Sequence, residues 1–328
     1  MTCFGYGVIC SRSPFAIQKF LPISPHEPVP TVVNLTPTVT IRSSAFDPAR
    51  TDTSVLCIDV GRDRLRFMVR DERRRGCYLE EYTFPSLLTD HVLADVLPNV
   101  FSGHPVLSTG LWQEIRVGVN SSSFTLVPQP LFRKEYAGSY LALMRGSALP
   151  AHEFAHAYAH ESEGFLSVFN LEHPLSDYFA GIYPLQPLTF VHQTGALIQA
   201  TANVTRRSLT AHNVYLYFDD EFVTVIHRES HQLRYCNRFG YRNVQDLSYY
   251  VLYVLDEQRL PPQTANVVLY GEITPFAEAY ASLSQFLPNL SFGQVPPGLS
   301  LTPEFDELPN HRYLSLYGLA LIGESGEK

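Results

Sequence analysis

The stretch His152-Glu153-Phe154-Ala155-His156 combines residue types and a spacing that can do metal chemistry. On a helix its two imidazoles would share one face and hold zinc, with Glu153 beside a metal-bound water as general base. His160, Glu161, Glu163, Glu172 and His173 follow as potential third ligands, none at a diagnostic spacing. No glycine follows at the spacing of the longer metalloprotease motif, and Ser162 stands where that motif has its third histidine. The segment from Pro150 to Gly164 is short for an active-site helix. Alternation of Phe154, His156, Tyr158 and His160 with Ala155, Ala157 and Ala159 also fits a strand, which would turn Glu153 away from the histidines. The segment therefore reads as incidental and no metal is expected, with a zinc hydrolase built on His152 and His156 as an alternative. The acidic run Asp219-Asp220-Glu221 could gather a cation, but as a solvated hairpin turn it needs none. No Walker A loop, nucleophile elbow or dinucleotide fingerprint occurs. Gly110-Leu111-Trp112 and Gly138-Ser139-Tyr140 lack the second glycine and the strand-to-helix setting.

The elements that would position such groups begin near Ser54. Before it, residues 1–48 carry seven prolines and no sustained period, so an extended tail with few core contacts is expected. Three strands in a meander are predicted next, at Val55 to Ile58, Arg64 to Arg70 and Cys77 to Phe84. A helix over Thr89 to Val100 follows, then a strand pair, Glu114 to Val119 and Phe124 to Val127. Helices over Phe132 to Met144, Leu175 to Ile182 and Thr194 to Arg207, with a strand at Phe165 to Asn170, complete a first lobe over 49–210. The second lobe, 211–328, repeats the grammar: strands at Val214 to Phe218, Phe222 to His227 and Gln232 to Asn237, a helix over Val244 to Leu255 and a strand at Asn266 to Tyr270. Helices over Pro275 to Leu287 and His311 to Ile322 end it. Each half thus reads as a ribonuclease H-like lobe, and two in tandem imply an α/β protein of actin-like architecture with a cleft between the lobes.

Composition narrows the function classes. In 328 residues, 45% are hydrophobic and 17% charged, enough apolar surface to order two domains. The net charge of −8 argues against binding nucleic acid through a basic surface, and the basic run Arg70 with Arg73 to Arg75 is broken by Asp71 and Glu72. Five scattered cysteines without a CxxC spacing fit reduced thiols. No apolar stretch is long enough to span a membrane and no signal peptide opens the chain, so a cytoplasmic protein is expected.

Five stretches, in this order and spacing, resemble an uncharacterised Bacteroidota family catalogued as domain of unknown function 3822 (DUF3822), whose members resemble degenerate actin-like ATPases. They are Ile58-Asp59-Val60-Gly61, Phe124-Thr125-Leu126-Val127-Pro128, Asn237-Arg238-Phe239 with Asp246 to Tyr250, Leu269-Tyr270-Gly271-Glu272-Ile273, and Tyr313 to Leu321. The resemblance covers about residues 50–325. It implies nucleotide-site positions at Asp59 and Gly61, where an Asp-x-Gly turn would approach phosphate and metal-bound water, and at Gly271, where a strand exit would cradle the adenosine. Departures from the pattern are equally plain. Arg62 replaces a small hydroxyl residue, Asp63 adds a charge, Asp219-Asp220-Glu221 replaces the second glycine turn, and Glu272 replaces the second adenosine glycine. Two unit charges about 4 Å apart repel by roughly 4 kcal/mol at an intermediate dielectric, so these carboxylates disfavour ATP. The Asp59 turn itself reads as solvated, Glu272 as a helix start, and Gly318 as a close-packing position in a helix on the second-lobe sheet. The resulting expectation is a non-catalytic actin-like scaffold with no cofactor and an unidentified protein partner. The alternative is a nucleotide-binding regulator or weak ATPase using Asp59, Gly61 and Gly271.

Overall fold

A computed structural model describes residues 36–323 except 45, 85–89, 110, 220 and 221. The strands are β1 (Val39–Arg42), β2 (Val55–Val60), β3 (Arg64–Arg70), β4 (Arg75–Thr83), β5 (Glu114–Val119), β6 (Phe124–Pro128), β7 (Glu153–His160), β8 (Phe165–Glu172), β9 (Leu188–His192), β10 (His212–Phe218), β11 (Phe222–Glu229), β12 (Gln232–Gly240), β13 (Asn266–Gly271), β14 (Leu290–Phe292) and β15 (Ser300–Leu301). The helices are α1 (Asp90–Phe101), α2 (Ala137–Arg145), α3 (His173–Ile182), α4 (Gln193–Thr205), α5 (Val244–Glu257), α6 (Glu278–Ser284) and α7 (Leu314–Leu321).

The first large sheet runs β1-β4-β3-β2-β5-β9, with β15 added beside β4. Within it β2, β3 and β4 form an antiparallel meander, while β5 and β9 continue parallel to β2. The second runs β12-β11-β10-β13-β14, again a meander followed by two parallel strands. A small antiparallel sheet, β6-β8-β7, lies between β5 and β9 in sequence. Burial on both faces explains the unbroken run Val55 to Val60: all six residues of β2 are buried. Polar strand ends, by contrast, are where the site described below assembles.

Two helices tie the large sheets together. α4 sends Leu197, Ile198 and Ala200 into a cluster with Tyr215, Tyr217, Ile226 and Tyr270 of the second sheet. α7, in turn, packs Leu316, Leu319 and Ala320 with Val55, Cys57, Met68 and Leu79 of the first. Every residue of α7 is buried, as a helix that is apolar all round requires. The helix that carries Gly318, expected on the second-lobe sheet, packs mainly on the first, with Leu314 reaching the second. A Cβ there would lie 2.0 Å from the Ala196 carbonyl oxygen, so glycine is what lets α7 touch the α4 backbone. From Asn34 onward the chain forms one compact unit, which these crossing helices make understandable.

The tail expectation also needs correction at its C-terminal end. Residues 39–42 form β1, an antiparallel partner of β4, with Val39 and Ile41 packed on the α7 cluster and Phe46 on the core of the first sheet. Proline density masked a four-residue alternation that begins just after Pro37. β9 was likewise absent from the expected elements, because a five-residue run between Pro187 and Gln193 is too short for its period to decide. The segment 132–144 begins with a 3-10 turn at Lys134–Tyr136 and becomes α-helical only at Ala137.

Candidate functional site

Asp59 sits near the end of β2, opposite Arg66 of β3 and beside Gly118 of β5. It is buried, not solvated as expected. Gly118 makes the room: a Cβ there would lie 3.3 Å from Asp59 Oδ1 and 2.9 Å from Leu319 Cδ1. Ser315 of α7 donates its hydroxyl to Asp59 Oδ2 at 2.5 Å, while Oδ1 has no hydrogen-bond partner among the described residues. Burial pushes the carboxyl up to about 6, against the pull of Arg66 and the Ser315 hydrogen bond, and Asp219 pushes the same way as burial. Gly61 closes the following turn by donating its amide to Arg64 O at 2.9 Å. The charge of Asp63 is met by Arg64, whose Nε lies 3.0 and 3.1 Å from the two carboxylate oxygens.

Asp219 comes from the β10–β11 hairpin, its amide donating to Phe222 O at 2.9 Å. Its Oδ2 accepts from Asn120 Nδ2 at 2.8 Å and Gln193 Nε2 at 3.2 Å, so amide side chains from the ends of β5 and α4 hold it. Asp220 and Glu221 lie outside the described residues. Arg238 of β12 reaches across to Ser121 O and Gln193 Oε1, each at 3.4 Å, with its guanidinium over Phe124 and Phe222. His192 is fully buried, stacked on Phe124. Its Nδ1 accepts the Thr194 amide and caps α4, which leaves Nε2–H to donate to Ser121 O at 3.1 Å. Burial, then the charge of Arg238, holds its pKa well below the usual range, so it stays neutral.

At the exit of β13, Gly271 has φ +85, and a Cβ would lie 2.1 Å from Phe218 O. Only glycine fits this turn. Glu272 does not begin a helix; α6 starts at Glu278. Its carboxylate instead meets Arg66 directly, Arg64 Nη1 at 3.2 Å and Arg312 Nε at 3.1 Å. Glu81 of β4 lies 3.6 Å from Arg66 Nη2 and 3.2 Å from Arg312 Nη2, and accepts from the Tyr313 hydroxyl at 3.0 Å. Burial pushes Glu272 up, but Arg66, Arg312 and Arg64 outweigh it and hold the carboxyl below the usual range. Three guanidinium groups and two carboxylates thus join β3 and β4 of the first sheet to the β13 exit and the entry of α7.

Asp59 and Asp219 therefore converge, and Gly271 lines a neighbouring turn. Several residues of this site were not singled out from the sequence: Arg64, Arg66, Glu81, Asn120, Gln193, Arg312 and Ser315. The signal for some was present, since Arg66, Glu80 and Glu81 are charged residues inside strands that otherwise read as buried. A magnesium nucleotide, the group this architecture implies, fits these residues poorly. Its phosphates would need cationic or N–H donors, yet Arg64, Arg66 and Arg312 already face Glu81 and Glu272.

His152 and His156 are not brought together as zinc ligands. β7 begins at Glu153, so the segment is a strand, and four residues along a strand span about 13 Å. His156 packs against Phe169 and Phe190, while His152 lies in the preceding turn and is exposed.

Among solved structures, the chain is similar to a protein of Bacteroides thetaiotaomicron VPI-5482 with actin-like ATPase fold and unknown function. Sequence identity is 18%, the TM-score is 0.70, and 84% of this chain and 99% of that one are covered. It is also similar to a chain of the PilM-PilN type IV pilus biogenesis complex, at 14% identity and a TM-score of 0.58 over 82% and 98% of the two chains. These likenesses establish the fold as actin-like. No curated protein matches the sequence. Among the described residues, no helix is long and apolar enough to cross a membrane. The profile described as "Protein of unknown function (DUF3822)" matches residues 43–290, a range that holds four of the five resembling stretches but not Tyr313 to Leu321. On that match, over most of its length, the chain belongs to the DUF3822 family.

Proposed function

We propose that this protein is a non-catalytic, cytoplasmic actin-like scaffold, two lobes dividing near residue 210, that acts by binding another protein. The observation that carries this reading is Glu272. A carboxylate at the strand exit where an adenosine nucleotide would be cradled pairs with Arg64, Arg66 and Arg312, so the protein supplies its own anion to its cations. Asp219 adds a further negative charge, held by the side-chain amides of Asn120 and Gln193. The likeness to a chain from a pilus assembly complex accords with an interaction role, at the level of fold alone. Calorimetric titration with ATP and magnesium tests the proposal: no saturable binding below millimolar nucleotide is expected, and micromolar binding would refute it.

One observation favours the nucleotide-regulator alternative. Asp59 Oδ1 is buried without a hydrogen-bond partner among the described residues, on a carboxyl whose pKa is raised, and such groups are enriched at functional sites. Under that reading Asp59→Asn would weaken nucleotide binding while leaving the fold intact.

A further inference from the structure

We infer that His152, Glu153 and Glu172 form a divalent transition-metal site that fastens the small sheet to the start of α3. Glu153 and Glu172 are directly opposed partners in the β7–β8 ladder. Both side chains are largely withdrawn from solvent. Like charges directly opposed across a ladder repel, and Arg145 offsets part of that repulsion at Glu153. Arg145 Nη1 meets Glu153 Oε2 at 3.0 Å, and Asn170 Nδ2 donates to the same oxygen at 3.0 Å. Oε1 is thereby turned toward His152, whose Nε2 lies 3.9 Å away. One ligand atom from each of His152, Glu153 and Glu172 lies within 4.8 Å of the other two. Ligands around a tetrahedral zinc stand about 3.4 Å apart, given bond lengths of about 2.0–2.2 Å. The exposed His152 side chain, whose Nε2 already lies 3.9 Å from Glu153 Oε1, is the ligand with room to adjust.

One imidazole and two carboxylates form a donor set that suits zinc and leaves a fourth position for water. Chemistry at that position is not part of the inference, because Glu153, the residue a metalloprotease would use as base, is here a ligand. The ion instead joins three pieces of chain. Glu172 directly precedes α3, and His173 donates its amide to His152 O at 3.0 Å, so the ligands already share a backbone link. The site stands independently of the scaffold reading.

The test is titration of chelator-dialysed, full-length protein with zinc chloride by calorimetry, beside His152→Gln, Glu172→Gln and His156→Ala. One equivalent bound with micromolar or tighter affinity is expected. Loss of either ligand should weaken it at least by the roughly 10–100-fold seen when even outer-sphere partners are removed. His156→Ala should bind as the parent does. Cobalt(II) should give the visible absorption of a four-coordinate ion in the parent and lose it in His152→Gln, a variant on an exposed turn that keeps the test valid should Glu172→Gln misfold. Three results would overturn the inference: no saturable zinc binding below about 100 μM, binding equal in the parent and both ligand variants, or binding lost in His156→Ala but kept in Glu172→Gln.

Discussion

Asp59 shows how a single side chain couples burial to pH. Its carboxyl is pushed up to about 6 from an ordinary value near 3.8, chiefly by burial. Between those values the folded chain holds a proton that the unfolded chain has lost, so stability falls as pH rises through that window. The two-unit rise corresponds to about 3 kcal/mol at most. Asp59→Asn should therefore stabilise the protein at pH 8 by up to about that amount and have little effect at pH 4, as denaturant unfolding at the two pH values would reveal; equal effects at both would contradict it. Glu272 has the opposite sign. Its pKa is held below the ordinary carboxylate value, so its pairing stabilises the fold above about pH 4.5 and is lost as pH falls through the folded value. Glu272→Gln should cost roughly 1–3 kcal/mol at pH 7, less than a fully buried pair because the side chain is 20% exposed, with the deficit shrinking toward pH 3. Asp59, Gly61 and Gly271 could be picked out through the family resemblance, but the partners of Glu272 could not. Arg66 lies 206 positions from Glu272, and nothing local to either residue announces the other.

At the scale of elements, the crossing of α4 and α7 depends on one missing side chain. Gly318→Ala places a methyl group against the Ala196 carbonyl, a backbone atom that no rotamer can move. The cost should be about 1–3 kcal/mol or more, and Ala196→Gly should not rescue it, since the clash is with main chain. Rescue in the double variant, read by thermal unfolding, would place the conflict elsewhere. The edge strand gives a second prediction. A chain beginning at residue 45 loses β1 and the burial of Val39 and Ile41, so it should be measurably less stable than one beginning at residue 36. Equal midpoints would return residues 36–44 to the tail. Long or strongly patterned elements such as β3, β11 and α5 were legible because their period persists over seven or more residues. β1, β9, β14 and β15 run for two to five residues and owe their existence to neighbouring strands, which no local pattern reports.

For the whole molecule, the recurrence of one strand order in both large sheets was legible as repeated meander grammar, even though the two halves share no evident motif. What could not be read was which half each connecting helix serves. α7 follows the second sheet in sequence yet packs most of its apolar surface on the first, with Leu314 on the second, because that surface runs all round and pattern alone gives it no preferred side. The same folding-over brings Ser315 to Asp59 and Arg312 to Glu81, so the chemistry of the region between the sheets is set by long-range closure. A phosphoryl-transfer enzyme must hold a magnesium-phosphate complex there and orient water for in-line attack, which is positioning plus charge stabilisation. Here carboxylates face the cations that would do that work. The most direct test of the proposed scaffold role is release of inorganic phosphate from ATP with magnesium, by the full-length protein and by Asp59→Asn. No turnover above the protein-free background is predicted for either. Turnover by the parent that vanishes in a folded Asp59→Asn would contradict the account.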